Sequence, residues 1–319
     1  MLFRSATSRG SSIDASAIDE AATLAKTDLT TELVKEFTEL QGIIGGLYAR
    51  SQGFSATVAD SIYDQYLPVS AKDAIPRSPE GCVLGLADRI DTIAGMFALG
   101  MEPTGSKDPF ALRRAANAIV KILAESTLPL TLSDVLAAVP PSQEVSAKLH
   151  AFFTERIAFY LREGRDQAYD VVKAVMAAGA DDLHDLIARS EAVTAIRGSA
   201  DFLAVCAAFK RIKNILAQAT DHDDEISSFE PRFDAEEEAN TWVQIQNAGA
   251  GYSDDCKNRH YIEALRKLAG LRPVIDQYFN STRVMADDLE VRANRLGMVR
   301  DLVIAFAQIA DFSEIVTAG

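Results

Sequence analysis

Chemistry at a protein site needs nucleophiles, acids and bases within reach of one another, and few such groups pair in this sequence. The four histidines are His150, His184, His222 and His260, so none precedes position 150. Their spacings do not match paired metal ligands, and no evident nucleophile accompanies them. Cys82, Cys206 and Cys256 are far apart and odd in number, which excludes a disulfide framework and a CxxC metal knuckle. A reducing compartment, the cytoplasm, is the expectation. Gly100-Met-Glu-Pro-Thr-Gly-Ser-Lys107 has the look of a phosphate loop, but its order is GSK where GK followed by Ser or Thr is needed. The acidic run 221–238 has alternate carboxylates without the central glycine and twelfth-position glutamate of a calcium loop.

What remains is basic. Lys107 precedes Asp108-Pro109, which reads as an N-cap and first helical residue. Arg113 and Arg114 then fall in the first two turns. Helix N-termini attract phosphate through free N–H groups and the dipole; pairing of these arginines with Asp88, Asp91 or Glu102 is the structural alternative. Within 200–218, Phe202, Val205, Cys206, Phe209, Ile212 and Leu216 form one apolar face. Lys210, Lys213 and Asn214 cluster away from it, with Arg211 at the flank. Near the C-terminus, Leu289, Ala293, Leu296, Val303 and Phe306 read as the inward face of a long helix. On another side stand Arg292, one turn from Asp288 and open to an intrahelical pair, and Arg295, the freer of the two. Trp242 and Tyr252 read as packed aromatics or as platforms for an unpaired base.

The elements positioning these groups read as helices almost throughout, because apolar residues recur at intervals of three and four. Val83, Leu84, Ala87, Ile90, Ile93, Ala94 and Phe97 make one stripe, and Leu112, Ala115, Ile119 and Ile122 a second. Val145, Leu149, Phe152, Phe153 and Tyr160 make a third. Ser133-Asp134 and Asp181-Asp182 supply capping side chains ahead of such runs. Pro129, Pro140 and Pro141 bound a segment without a long helix, so a linker is expected at 126–144. The fold class is all-α in two parts.

At 319 residues, 48% hydrophobic and 24% charged, the chain has material for two globular cores. No apolar run approaches the ~18–20 residues of a bilayer span, and the opening residues lack the apolar stretch of a secretory signal. No membrane partner is expected, and no DNA. The net charge of −14 argues against a nucleic-acid partner until its distribution is considered. Residues 221–238 carry nine acids and one arginine, so −8 of that total sits in one stretch that reads as a solvated loop. The remaining −6 is spread thinly enough for local basic stripes.

Several motifs resemble one family. Lys26-Thr-Asp28-Leu runs to Glu39-Leu-Gln41-Gly42; Leu84-Gly-Leu-Ala-Asp88-Arg-Ile-Asp91 leads to Pro103-Thr-Gly-Ser-Lys-Asp-Pro-Phe-Ala-Leu-Arg-Arg-Ala-Ala116. Later matches are Asp170–Gly179, Asp182–Leu186, Phe209–Leu216, Met285–Leu296 and Asp311–Ser313. Together they resemble the C-terminal half of bacterial glycyl-tRNA synthetase β subunits over residues 20–316, with 1–19 matching poorly. Pro103–Ala116 is the most specific of them.

The resemblance implies an HD-like helical domain over 20–125 and, over 145–319, a helical anticodon-binding domain of the arginyl-tRNA synthetase type. Active HD domains hold metal through histidines and a later aspartate. Asp88 stands where that aspartate falls, but with no histidine before 150 a metal-dependent phosphohydrolase is not expected, and Asp88 and Asp91 read as structural. The resemblance further implies a tRNA(Gly)-binding β subunit without catalytic residues or cofactors of its own, truncated to half the family length; the alternative is an orphan folded fragment without activity. Its partners would be tRNA(Gly) and the α subunit of an α₂β₂ ligase, which uses ATP and magnesium. Lys107, Arg113, Arg114, Lys210, Arg211, Lys213, Arg292 and Arg295 are then the candidate tRNA contacts.

Overall fold

The structure is a computed structural model and describes residues 2–139, 143–219, 233 and 236–316. Its described residues are helical with no strand, so the chain is all-α. They fall into two compact units, residues 1–165 with 181–184, and residues 166–180 with 185–319. The division after Arg165 lies beyond the expected linker at 126–144. The described part of that segment is packed chain: Leu128, Leu130, Leu132, Val135 and Leu136 are buried in the first unit. A capping box of Thr131 and Asp134 starts a short helix there, so the cap is Thr131 rather than Ser133. Arg9 clamps the same turn through both Asp134 oxygens (2.7 and 2.9 Å) and the Pro129 carbonyl (2.8 Å). Pro140 and Pro141 lie outside the described residues.

In the first unit, α1 (Ala15–Leu24), α2 (Ile43–Ser51), α3 (Ala56–Asp64) and α4 (Pro79–Ala98) meet through small side chains. Ala17, Ala21, Ala49 and Ala59 join Val58, Ile62 and Leu84 in one buried cluster. The approach is closest at Gly46, where an added Cβ would lie 2.6 Å from the Ala59 carbonyl oxygen and 2.6 Å from the Tyr63 Cβ. Asp28, buried in the Lys26–Gly42 motif, accepts the Gly42 and Gly45 amides at 2.6 and 3.3 Å and so caps α2 from a distance. Gly42 takes φ +78° to make that entry. Leu86, Ile90 and Ile93 are fully buried on α4, whereas Ala87 of the expected stripe is exposed. Arg89, also buried, donates to the Gln65, Gly85, Tyr66 and Leu67 carbonyls at 2.7–3.1 Å and fixes the turn after α3. Two further long helices, α5 (Leu112–Glu125) and α6 (Gln143–Phe159), belong to this unit, and a π-helical turn, Tyr160–Gly164, continues α6.

The second unit is built on α7 (Ala200–Leu216), whose Phe202, Val205, Cys206, Phe209 and Ile212 are buried as their spacing requires. Phe209 stacks edge-on against Phe306 and Phe312, with centroids 6.2 and 5.7 Å away. The last long helix, α9 (Leu289–Phe306), packs through Ala293, Leu296, Val299, Leu302 and Phe306. Leu289, expected inward, is 57% exposed because it directly follows the Asp288 cap, and Val303 is half-buried. Between them runs α8 (Glu236–Lys257). It holds the last residues of the acidic stretch; 221–232 and 234–235 lie outside the described residues, so the solvated-loop reading falls there.

Candidate nucleic-acid interface

The Pro103–Ala116 motif forms a tight turn and a helix start. Thr104 and Lys107 exchange backbone hydrogen bonds at 2.9 and 3.1 Å around Gly105, which takes φ +51°. The helix begins at Leu112, later than Asp108-Pro109 predicts, because Ala111 adopts a left-handed conformation with φ 54°. Asp108 still caps it: its two carboxylate oxygens accept the Leu112 and Arg113 amides at 2.8 and 2.9 Å. A carboxylate therefore fills the anion site expected for a phosphate, and the backbone end of α5 is not where an outside anion docks.

The side chains around it are another matter. Lys107 and Arg114 are exposed, Arg113 is half-buried, and among the described residues their cationic groups make no ion pair or hydrogen bond. Their expected carboxylate partners are taken or turned out. Asp88 accepts from Lys26 Nζ at 2.9 Å and Glu102 from Lys148 Nζ at 2.7 Å, while Asp91 is exposed. Burial works against the Lys26 ammonium, but the hydrogen bond and charge of Asp88 prevail and hold its pKa above the ordinary lysine value. An ammonium thus sits on the aspartate that the resemblance aligns with a metal ligand. Among the described residues no three His, Cys, Asp or Glu side chains gather as a metal site. Arg113 and Arg114 both line a groove of about 590 Å³ with residues 68–71 and the Phe159–Gly164 segment.

In the second unit the candidates divide. Lys210 and Asn214 are exposed beside a hollow of about 290 Å³ formed with residues 313–316. Lys210 makes no ion pair among the described residues. Lys213 is committed to the fold, donating to Asp311, Ser313 Oγ and Glu314 at 2.8, 3.0 and 3.2 Å. Its hydrogen bond to Asp311 raises its pKa. Lys173 first, then Lys213, lowers that of Glu314. Arg211 lies over the Phe279 ring, 4.8 Å from its centroid, beside a second hollow of about 420 Å³.

Arg295 reverses its expectation. It is the least free of the set, bonded through Nε and Nη2 to Glu238 at 3.0 and 3.3 Å, with the two side chains only 13% and 5% exposed. Arg292 is half-buried on α9, and the carboxylate behind it caps the helix, accepting the Glu290 and Val291 amides. Trp242 and Tyr252 are buried, and Tyr252 donates to the Phe306 carbonyl at 2.7 Å, so both pack rather than stack on a base. Sequence reasoning missed Phe159. It lies off the buried Leu149, Phe153 and Ile157 stripe of α6 and is 44% exposed at the groove, a displacement readable from its register.

The described residues are those of an all-helical protein with an anticodon-binding module: residues 205–315 match the DALR anticodon binding domain. Residues 4–177 match the model of the glycyl-tRNA synthetase beta subunit, and the chain belongs to that family. The match starts at residue 4, within the segment 1–19 that the motifs did not reach. The chain is 51% identical to the glycine–tRNA ligase beta subunit of Acidobacterium capsulatum, over 97% of this chain and 46% of that protein. It is 37% identical to that of Syntrophus aciditrophicus, over 94% of this chain and 44% of that one. Against the Myxococcus xanthus subunit the identity is 38%, over 95% and 45%. The chain therefore spans a little under half the length of these relatives.

Proposed function

We propose that the chain is a tRNA-docking part of a glycine–tRNA ligase, acting in the cytoplasm with an α subunit in an α₂β₂ assembly. The ligase would join glycine to tRNA(Gly) with ATP and magnesium on the α subunit, and this chain would bring no catalytic residue or cofactor. The observation that carries the reading is the match of residues 205–315 to an anticodon-binding domain, on the unit where Lys210 stands exposed and unpaired. Lys107, Arg113 and Arg114 supply further uncommitted cations on the first unit. Such groups bind phosphate by displacing counterions. Lys213, Arg295 and the Asp88–Lys26 pair act in the reading as supports, not contacts.

The test has two readouts. Glycine-dependent exchange of pyrophosphate into ATP should be absent from the purified chain, and tRNA(Gly) should bind it more tightly than a non-cognate tRNA, with and without the α subunit. Adenylation by the chain alone would remove the division of labour. Equal, weak binding of both tRNAs in both conditions would remove the docking role.

A further inference from the structure

The groove on the first unit carries chemistry that the anticodon-binding match, which lies elsewhere in the chain, does not use. Three carboxylates line it, and each is engaged. Asp108 caps α5, Glu125 accepts the Tyr160 hydroxyl at 2.9 Å, and Glu163 lies 3.5 Å from Arg162. Lys121 is spent too, donating to the Ala71 carbonyl at 2.6 Å. Four groups are left over. Arg113 and Arg114 have no acceptor among the described residues. The Asn117 amide has its Oδ1 buried with no partner. The Phe159 ring is 44% exposed, with the Arg156 guanidinium 5.8 Å from its centroid.

We propose that this groove binds one nucleotide, its phosphate on Arg113 and Arg114, its base against Phe159 and its base edge on the Asn117 amide. Each part follows from chemistry. Guanidinium forks match phosphate oxygens. An exposed aromatic ring beside an arginine is a stacking surface for any base. An amide both donates and accepts, as a base edge does. At about 590 Å³ the groove falls in the size range of small-ligand sites. An acidic peptide would satisfy the arginines but leave the ring and the amide idle. Two sources share this chemistry: a free mononucleotide, or an unpaired residue of bound RNA, and the second rests on the tRNA-docking reading above.

The experiment uses the full chain, its Arg114→Ala and Phe159→Ala variants, tRNA(Gly), and the four 5′-mononucleotides as free probes. Both replaced side chains are exposed, and a thermal melt checks that each variant folds. Arg114→Ala should weaken tRNA binding and shrink the slope of log K against log salt by about 0.7, the value for one phosphate of a single strand. Phe159→Ala should weaken it about fivefold or more and leave the slope unchanged, since stacking releases no counterion. Mononucleotide binding that both variants abolish would assign the groove to a free nucleotide. Wild-type affinity and slope in both variants, with no mononucleotide bound, would overturn the groove and leave the docking reading standing. Mononucleotide binding through these residues in a chain that ignores tRNA would support the groove and remove the docking reading. Binding of neither would overturn both.

Discussion

Replacing Arg295 by methionine should unfold the second unit far more readily than a surface substitution would. The guanidinium holds both Glu238 oxygens at 3.0 and 3.3 Å and reaches the Arg283 carbonyl at 3.2 Å. With Glu238 only 5% exposed, Arg295→Met takes the bidentate guanidinium away from a carboxylate that water scarcely reaches. Breaking one side of such a buried pair costs about 3–5 kcal/mol, against about 0–1 kcal/mol for an exposed pair. At a urea slope of about 2 kcal/mol/M, the midpoint should fall by roughly 2 M. The single tryptophan, Trp242, is buried one turn beyond Glu238 on α8, so its fluorescence reports this unit. Glu238→Leu combined with Arg295→Met should recover most of the loss. A single-variant cost below about 1 kcal/mol, or a double variant as unstable as the two singles summed, would show that the Arg295–Glu238 pair does not hold this unit together.

Gly46→Ala should destabilise the first unit by about 1–3 kcal/mol in a thermal melt followed by circular dichroism, since the new methyl would meet Ala59 and Tyr63 at 2.6 Å. Helix propensity alone predicts the opposite sign by about 1 kcal/mol. Lys210→Ala should weaken tRNA binding and flatten its salt dependence, whereas Lys213→Ala should leave the salt dependence intact and lower stability. Burial raises the Asp311 carboxyl pKa, but the Lys213 hydrogen bond outweighs it and holds the pKa below the usual range, as Lys173 and Lys213 hold that of Glu314. Their stabilisation is present above the ordinary carboxylate pKa and is lost as pH falls through the lowered values. Lys213→Met should therefore flatten the acid limb of the stability–pH curve, and an unchanged limb would contradict that assignment.

The sequence made most of this fold legible because helical periodicity is a local property. Phe202 to Ile212 of the α7 face and Ile119 and Ile122 are buried as their spacing required, and Leu216 at the end of α7 is half-buried. It failed where the deciding partner is distant. Arg295 looked free because Glu238 lies 57 residues away, inside a stretch whose charge alone reads as solvated. Asp108 looked like a conventional cap, but the left-handed Ala111 delays the helix, and backbone handedness at an alanine leaves no composition signal. The segment 126–144 read as a linker from its prolines, whereas Leu128, Leu130 and Val135 bury it within the first unit. The candidate cations were legible as a set, but their sorting into committed and uncommitted groups depended on side-chain partners that only the folded chain brings together.

Whether this chain docks tRNA is decided by the affinity of the full chain for tRNA(Gly) and for a non-cognate tRNA across a salt series. Binding of tRNA(Gly) should be the tighter, with log K falling linearly as log salt rises. Absent binding, or binding indifferent to both salt and tRNA identity, would contradict it.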